Sequence, residues 1–156
     1  MTLEGLNEDF RDLLAVLVDA GAEFVIVGAY ALAFHGAPRA SGDIDVFVRP
    51  TVENASRVLE ALARFGAPVD ATAITAAELA RPGIVYQIGL PPRRIDIMTA
   101  LSGVTFDDVW VSRVTAEVDG RTVAFIGRAA LLKNKEATGR PKDIADVARL
   151  RRIDPR

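Results

Sequence analysis

Asp43 and Asp45 stand one residue apart in the run Ser41-Gly42-Asp43-Ile44-Asp45-Val46-Phe47-Val48. Successive side chains of an extended strand point to opposite faces. This spacing therefore puts both carboxylates on one face, about 7 Å apart, with Ile44, Val46 and Val48 on the other. Acids at the mouth of an apolar strand are costly unless a cation or hydrogen bonds compensate them. The chemistry such a pair can do is to hold a divalent metal ion. The competing reading is a loop acid followed by an edge-strand acid facing water, and acid-x-acid strings are too short to decide alone.

The segment upstream adds a second half-site. Phe24-Val25-Ile26-Val27 is a β-branched run that reaches Gly28 and continues as Ala29-Tyr30-Ala31-Leu32-Ala33-Phe34. It reads as a strand over 24–28, a tight turn and a helix over 29–34. Backbone N–H groups at a helix start are unpaired and carry the positive end of its dipole, and Gly28 allows close approach, so this turn suits an anion. An anion site and a dicarboxylate joined by one short helix are the parts needed for a nucleoside triphosphate and its metal. Further along, Arg94-Ile95-Asp96-Ile97-Met98 alternates as a half-buried strand does, with Ile95 and Ile97 on one side and Asp96 on the other.

With these residues the chain resembles the nucleotidyltransferase superfamily, which includes DNA polymerase beta-like enzymes, kanamycin-type nucleotidyltransferases and bacterial minimal nucleotidyltransferases. That signature is a Gly-Ser or Gly-Gly pair opening a helix, an acid-x-acid strand roughly ten residues later, and a third acid on a later strand. Gly28-Ala29, Asp43 with Asp45, and Asp96 occupy those positions. Ala29 departs from the pattern and leaves only a main-chain contact to phosphate there. A second string, Lys135-Glu136-Ala137-Thr138-Gly139-Arg140-Pro141-Lys142-Asp143-Ile144-Ala145-Asp146, is similar to the end of the toxin-antitoxin and abortive-infection branch.

The resemblance implies an α/β fold, a mixed β-sheet flanked by helices. It implies two magnesium ions, with manganese as a substitute, held by Asp43, Asp45 and Asp96. An all-oxygen donor set suits magnesium in a chain without cysteine. Two ions about 4 Å apart clamp the attacking hydroxyl and the leaving pyrophosphate. Asp96 would also take the proton of the acceptor hydroxyl. Lys135 would contact the triphosphate and Asp143 would orient a basic group or the substrate, with Arg140 and Lys142 supporting. Arg39 and Ser41 are candidate phosphate contacts, since a guanidinium forks onto phosphate oxygens; local turn chemistry is their other reading.

The implied reaction moves a nucleoside monophosphate from a triphosphate onto a hydroxyl of RNA, of a tRNA end or of a partner protein, in a toxin-antitoxin setting. Two alternatives stay open. One is a catalytically silent binding module, an antitoxin or regulator, which Ala29 favours and the three acids with Lys135 oppose. The other is a small-molecule, antibiotic-modifying enzyme, whose acceptor pocket would have to come from residues 69–82.

Composition bounds these readings. A chain of 156 residues is expected to form one domain, residues 1–156, and to bury roughly 70% of the surface its unfolded form exposes. The acidic start, with four or more acids in the first twenty residues, does not read as a secretory leader. The longest apolar run, 24–34, is far below the roughly 20 residues of a membrane span. The expectation is a cytoplasmic protein without a membrane partner, and nothing requires a dimer. A net charge of −2 argues against indiscriminate nucleic-acid binding. The charge is uneven, with eight basic and four acidic residues from Lys133 onward. Arg81, Arg93 and Arg94 form a second basic set that could gather at a cleft. Arg149, Arg151 and Arg152 read as a solvated helix face.

The elements that must position these groups are legible in outline. Leu3, Leu6, Phe10, Leu13, Leu14, Leu17 and Val18 repeat at helical spacing up to Gly21. Thr51 caps a helix running to Phe65, with Gly66 ending it. Residues 69–82 read poorly, with a short helix over 76–80. Strands over 84–89 and 94–99 form a hairpin, 106–111 a short helix, and 114–118 with 122–126 a hairpin about Asp119-Gly120. Helices over 128–137 and 141–151 finish the chain, separated by Gly139 and opened by Pro141. His35 reads as a helix-terminal residue and Trp110 as a packing residue.

Overall fold

The computed structural model describes residues 6–39 and 42–153. The strands are β1 (Phe24–Val27), β2 (Ile44–Val48), β3 (Val85–Ile88), β4 (Ile95–Met98), β5 (Val114–Val118) and β6 (Arg121–Phe125). They form one mixed sheet in the order β3-β4-β2-β1-β6-β5. β1 runs antiparallel to β2 and parallel to β6, β2 runs parallel to β4, and β3–β4 and β5–β6 are antiparallel hairpins. The expected mixed sheet flanked by helices is the one found.

Period-two alternation sorts the side chains into two cores. Phe24, Ile26, Ile44, Val46, Ile95 and Ile97 meet α1 (Glu8–Asp19) and α3 (Val52–Phe65), whose Phe10, Leu13, Leu17, Val58 and Leu62 are buried. Val25, Val27 and Phe47 point the other way, to α2 (Gly28–Phe34), α6 (Phe106–Val111), α7 (Arg128–Thr138) and α8 (Pro141–Arg151). Asp45 and Asp96 alternate with the first set, so they emerge into this second layer.

Local chemistry starts and stops the helices. Asn7 Oδ1 accepts from the Phe10 N–H at 2.9 Å to open α1, and Thr51 caps α3 through the Asn54 N–H. Thr105 and Asp108 form a capping box on α6. Asp119 and Gly120 both take positive φ, 51° and 79°, the backbone that a two-residue hairpin turn demands. Leu3, read as part of the first helical face, lies outside the described residues.

Some boundaries differ from expectation. β2 begins at Ile44, so Asp43 sits just before the strand rather than within it. Its side chain is turned instead to the β4 entry, where Oδ1 accepts from the Arg94 N–H at 3.0 Å. Gly28 is the first residue of α2 rather than the last of β1. The poorly readable segment holds two short helices, α4 (Val69–Thr72) and α5 (Ala76–Leu79), the first of them unforeseen. α4 buries none of its residues and so carries no apolar period to read.

Gly28 is required twice over. Its φ is +68°, and a Cβ there would lie 2.1 Å from Asp45 Oδ2. Gly28→Ala is therefore expected to lower stability by about 1–3 kcal/mol and to push Asp45 away from Asp96. A melting curve checks the first effect; an unchanged melt would show that the turn tolerates a side chain.

Candidate active site

β2 and β4 are parallel neighbours with Asp45 paired directly to Asp96, so register alone sets the two side chains next to each other on the second face. Asp45 is held at a pKa of about 6. Burial is the main cause; the charge and hydrogen bond of Asp96 and the charge of Asp43 add to it, and Arg94 opposes it. Arg94 is two residues before Asp96 and so shares its face. Its Nε donates to Asp96 Oδ1 at 2.8 Å and one terminal nitrogen to Oδ2 at 3.2 Å, while Asp43 Oδ2 lies 3.6 Å away. The three aspartates line one cleft, with Asp43 and Asp96 both turned to Arg94.

A cleft of about 410 Å³ opens beside them. Its lining includes Gly28, Ala29, Arg39, Asp43, Asp45, Asp96, Lys135, Arg140, Lys142 and Asp143, residues from five separate stretches of sequence. Every predicted site residue within the described part of the chain is thus brought to one place. Ser41 lies outside the described residues. Of the second basic set only Arg94 lines the cleft. Arg81 and Arg93 are exposed, Arg81 just after α5 and Arg93 on the β3–β4 turn, because the hairpin geometry separates residues that sequence places together.

The far wall comes from α7 and α8. Lys135 is 4% exposed and Asp143 and Asp146 are 2% exposed each. Lys135 Nζ donates to Asp143 Oδ1 at 3.1 Å and to Asp146 Oδ2 at 2.9 Å. Asp143 also accepts from the Thr138 hydroxyl at 2.6 Å and from Arg140 Nε at 2.8 Å. Burial pushes the Asp143 carboxyl up, but the hydrogen bonds from Thr138, Lys135 and Arg140 together outweigh it and hold it at about 2. Arg39 Nε is 3.2 Å from Asp146 Oδ1, which ties the loop before the dicarboxylate to α8.

Sequence reasoning gave no role to Asp146 or Thr138, though both stand in the C-terminal string, and did not foresee the role of Arg94. Asp146 left a signal: it follows Asp143 by three residues, on the same side of α8 as the buried Val147 and Leu150. Arg149, Arg151 and Arg152 lie on a solvent-facing side of the chain, as read, where Arg149 also donates to the Pro38 carbonyl and Arg151 pairs with Glu136. His35 is the C-cap residue of α2, its Nε2 2.8 Å from the Ile126 carbonyl, and Trp110 stacks on Phe106 at 5.6 Å. Both are structural, as expected.

The donors fit a hard divalent cation by type: three carboxylates, an all-oxygen set, line one cleft. Among the described residues no three His, Cys, Asp or Glu side chains surround a single point, Asp43 and Asp96 being turned to Arg94.

A family model described as the nucleotidyl transferase AbiEii toxin of a type IV toxin-antitoxin system matches residues 11–124. The chain belongs to the AbiEii family. By its family it is a nucleotidyltransferase. The matched stretch carries Gly28, Asp43, Asp45 and Asp96 and stops before α7 and α8, so the Lys135 wall stands on geometry alone. The fold is similar to that of a putative nucleotidyltransferase from Thermotoga maritima, with TM-score 0.54 and 15% identity over 91% of this chain and 88% of that one. It is also similar to a lincomycin-bound lincosamide antibiotic adenylyltransferase, LnuA, with TM-score 0.58 and 11% identity over 96% and 99% of the two chains. No curated protein matches the chain. No helix among the described residues is long and apolar enough to cross a membrane.

Proposed function

We propose that this AbiEii-family chain moves a nucleoside monophosphate from a nucleoside triphosphate to a hydroxyl of RNA, such as a tRNA end, or of a partner protein, as the toxin component of a cytoplasmic toxin-antitoxin pair. The observation that carries the reading is the convergence of Asp43, Asp45, Asp96 and the Lys135–Asp143 wall on one cleft beside the Gly28 turn. A silent binding module has no need for a carboxylate held near 6 by burial and by acidic neighbours.

Each side chain has a distinct task. The Gly28 and Ala29 main chain borders the cleft and receives phosphate oxygens without a hydroxyl. Asp43, Asp45 and Asp96 would hold two magnesium ions, which supply charge neutralisation of the phosphates and activation of the acceptor hydroxyl. The acceptor oxygen bonds to the α-phosphorus as the bond to the bridging oxygen breaks, pyrophosphate leaves, and Asp96 takes the hydroxyl proton. Arg39, Arg140 and Lys142 meet the departing charge from the cleft rim. Lys135 acts through its ion pairs, fixing the α7–α8 wall against the phosphate tail.

The test is incubation of the protein with each α-labelled triphosphate, magnesium and bulk RNA, with an Asp43→Ala, Asp45→Ala variant alongside. Label is expected on an RNA or protein species with the wild type and on none with the variant. Transfer that persists in the variant, or triphosphate binding without transfer to any acceptor, would overturn the reading; label on an antibiotic-like small molecule alone would move the acceptor to that class.

A further inference from the structure

We propose that Arg94 is a built-in counter-ion of the aspartate cluster, displaced when a divalent cation enters and released toward the phosphate tail that accompanies it. The inference rests on the metal-dependent reading above and adds a competitor for the same oxygens.

Both oxygens of Asp96 are engaged by the Arg94 guanidinium, at 2.8 and 3.2 Å, and Asp43 Oδ2 is 3.6 Å from it. A guanidinium forked onto both oxygens of Asp96, with Asp43 Oδ2 3.6 Å away, occupies the space and opposes the charge of a cation seeking those carboxylates at magnesium distances of about 2.1 Å. Arg94 is the cation in contact with both Asp96 and Asp43, so it supplies the positive charge that balances these carboxylates when no metal is present.

The arginine is also free to leave. Its main chain is fixed on both sides, the N–H donating to Asp43 Oδ1 at 3.0 Å and the carbonyl accepting from the Ile44 N–H at 3.0 Å. Its side chain is 29% exposed and borders the cleft. Released, the guanidinium stays in the cleft with no carboxylate partner and suits phosphate oxygens. Metal without nucleotide therefore strands a cation, whereas metal with triphosphate satisfies it, so the two ligands enter cooperatively.

The experiment titrates manganese into nucleotide-free protein, by calorimetry and by the manganese spin-resonance signal, for the wild type, Arg94→Gln, Arg94→Lys and the exposed control Arg57→Gln on α3. Arg94→Gln is expected to bind about tenfold more tightly than the wild type, because one positive charge and its hydrogen bonds no longer compete. Arg94→Lys should fall between them, and Arg57→Gln should match the wild type. Without metal, Arg94→Gln should melt lower, and manganese should restore it. With a non-hydrolysable triphosphate present, the wild type should gain manganese affinity and Arg94→Gln should gain less.

Equal or weaker manganese binding by both Arg94 variants would overturn the displacement while leaving the metal site standing. No binding by any of the four proteins would overturn the metal site itself and the displacement with it.

Discussion

Asp45→Asn is expected to abolish nucleotidyl transfer, by on the order of a thousandfold, and yet to make the metal-free protein more stable. The two effects have one cause. The carboxyl of Asp45 is held near 6 by burial and by its two acidic neighbours, against 3.8 for a free aspartate. A carboxylate whose folded-state value is raised opposes folding wherever it must ionise. Below pH 3.8 it is neutral in both states and the penalty is absent. Between 3.8 and about 6 the folded protein keeps a proton that the unfolded chain has lost, so stability falls as pH rises. Above about 6 the penalty is complete, at about 2–3 kcal/mol.

Asparagine keeps the shape, donates to Asp96 and removes the charge. In chelator at pH 7.5 the variant should melt higher by roughly 5–10 °C, and its advantage should vanish by pH 4. Thermal melts across pH 4–8 with a transfer assay check both halves. A variant that melts lower than the wild type at pH 7.5 would mean that Asp45 serves the fold rather than the chemistry.

Lys135→Met is expected to lower stability by about 3–5 kcal/mol, the largest loss among these substitutions. The ammonium is buried between Asp143 and Asp146, so removing it leaves two carboxylates out of water with less positive charge. Each has a second partner: Arg140 for Asp143, and Arg39 for Asp146. Adding Asp146→Asn to Lys135→Met should recover part of the loss, as a double-mutant cycle by denaturant unfolding would show. Additivity of the two changes would contradict a shared network.

The same cluster sets an acid limit. Asp143 is depressed to about 2, so the stability it contributes is present above pH 3.8 and disappears as pH falls through 2. With discount for solvent near Arg140, that contribution is about 1–2 kcal/mol. In Lys135→Met this acid-dependent loss should shrink, because one of the three hydrogen bonds that lower Asp143 is gone. The transfer reaction should suffer as well, since the α7–α8 wall of the cleft is what Lys135 holds in place.

Residues 11–124 carry the match to the AbiEii family, whereas Lys135, Asp143 and Asp146 lie beyond it. That boundary divides the site by the way its parts are built. The aspartates sit on neighbouring parallel strands, where backbone pairing sets their separation. The wall depends on side-chain ion pairs between two helices and a loop, which tie it to the sheet through Arg39 and Asp146.

The amino-acid order by itself determined the elements and the face each carboxylate would occupy. Alternation over 44–48 and 95–98 sets Asp45 and Asp96 on the face opposite Ile44, Val46, Ile95 and Ile97, and Gly28, Gly66, Gly139 and Pro141 punctuate the chain through backbone geometry that no packing need supply. A family signature written in acids and glycines was legible for the same reason. Only the folded molecule decided what the charges do. Arg94 reads as a basic residue awaiting phosphate and is instead bound to Asp96; Lys135, expected to contact the triphosphate, is shared between two carboxylates; Asp146, given no role from sequence, joins α8 to the loop at Arg39. Periodicity is a property of neighbouring residues along the chain. Electrostatic partnership depends on distance through space, which a separation of 51 positions from Asp43 to Arg94 does not reveal until β2 and β4 lie side by side.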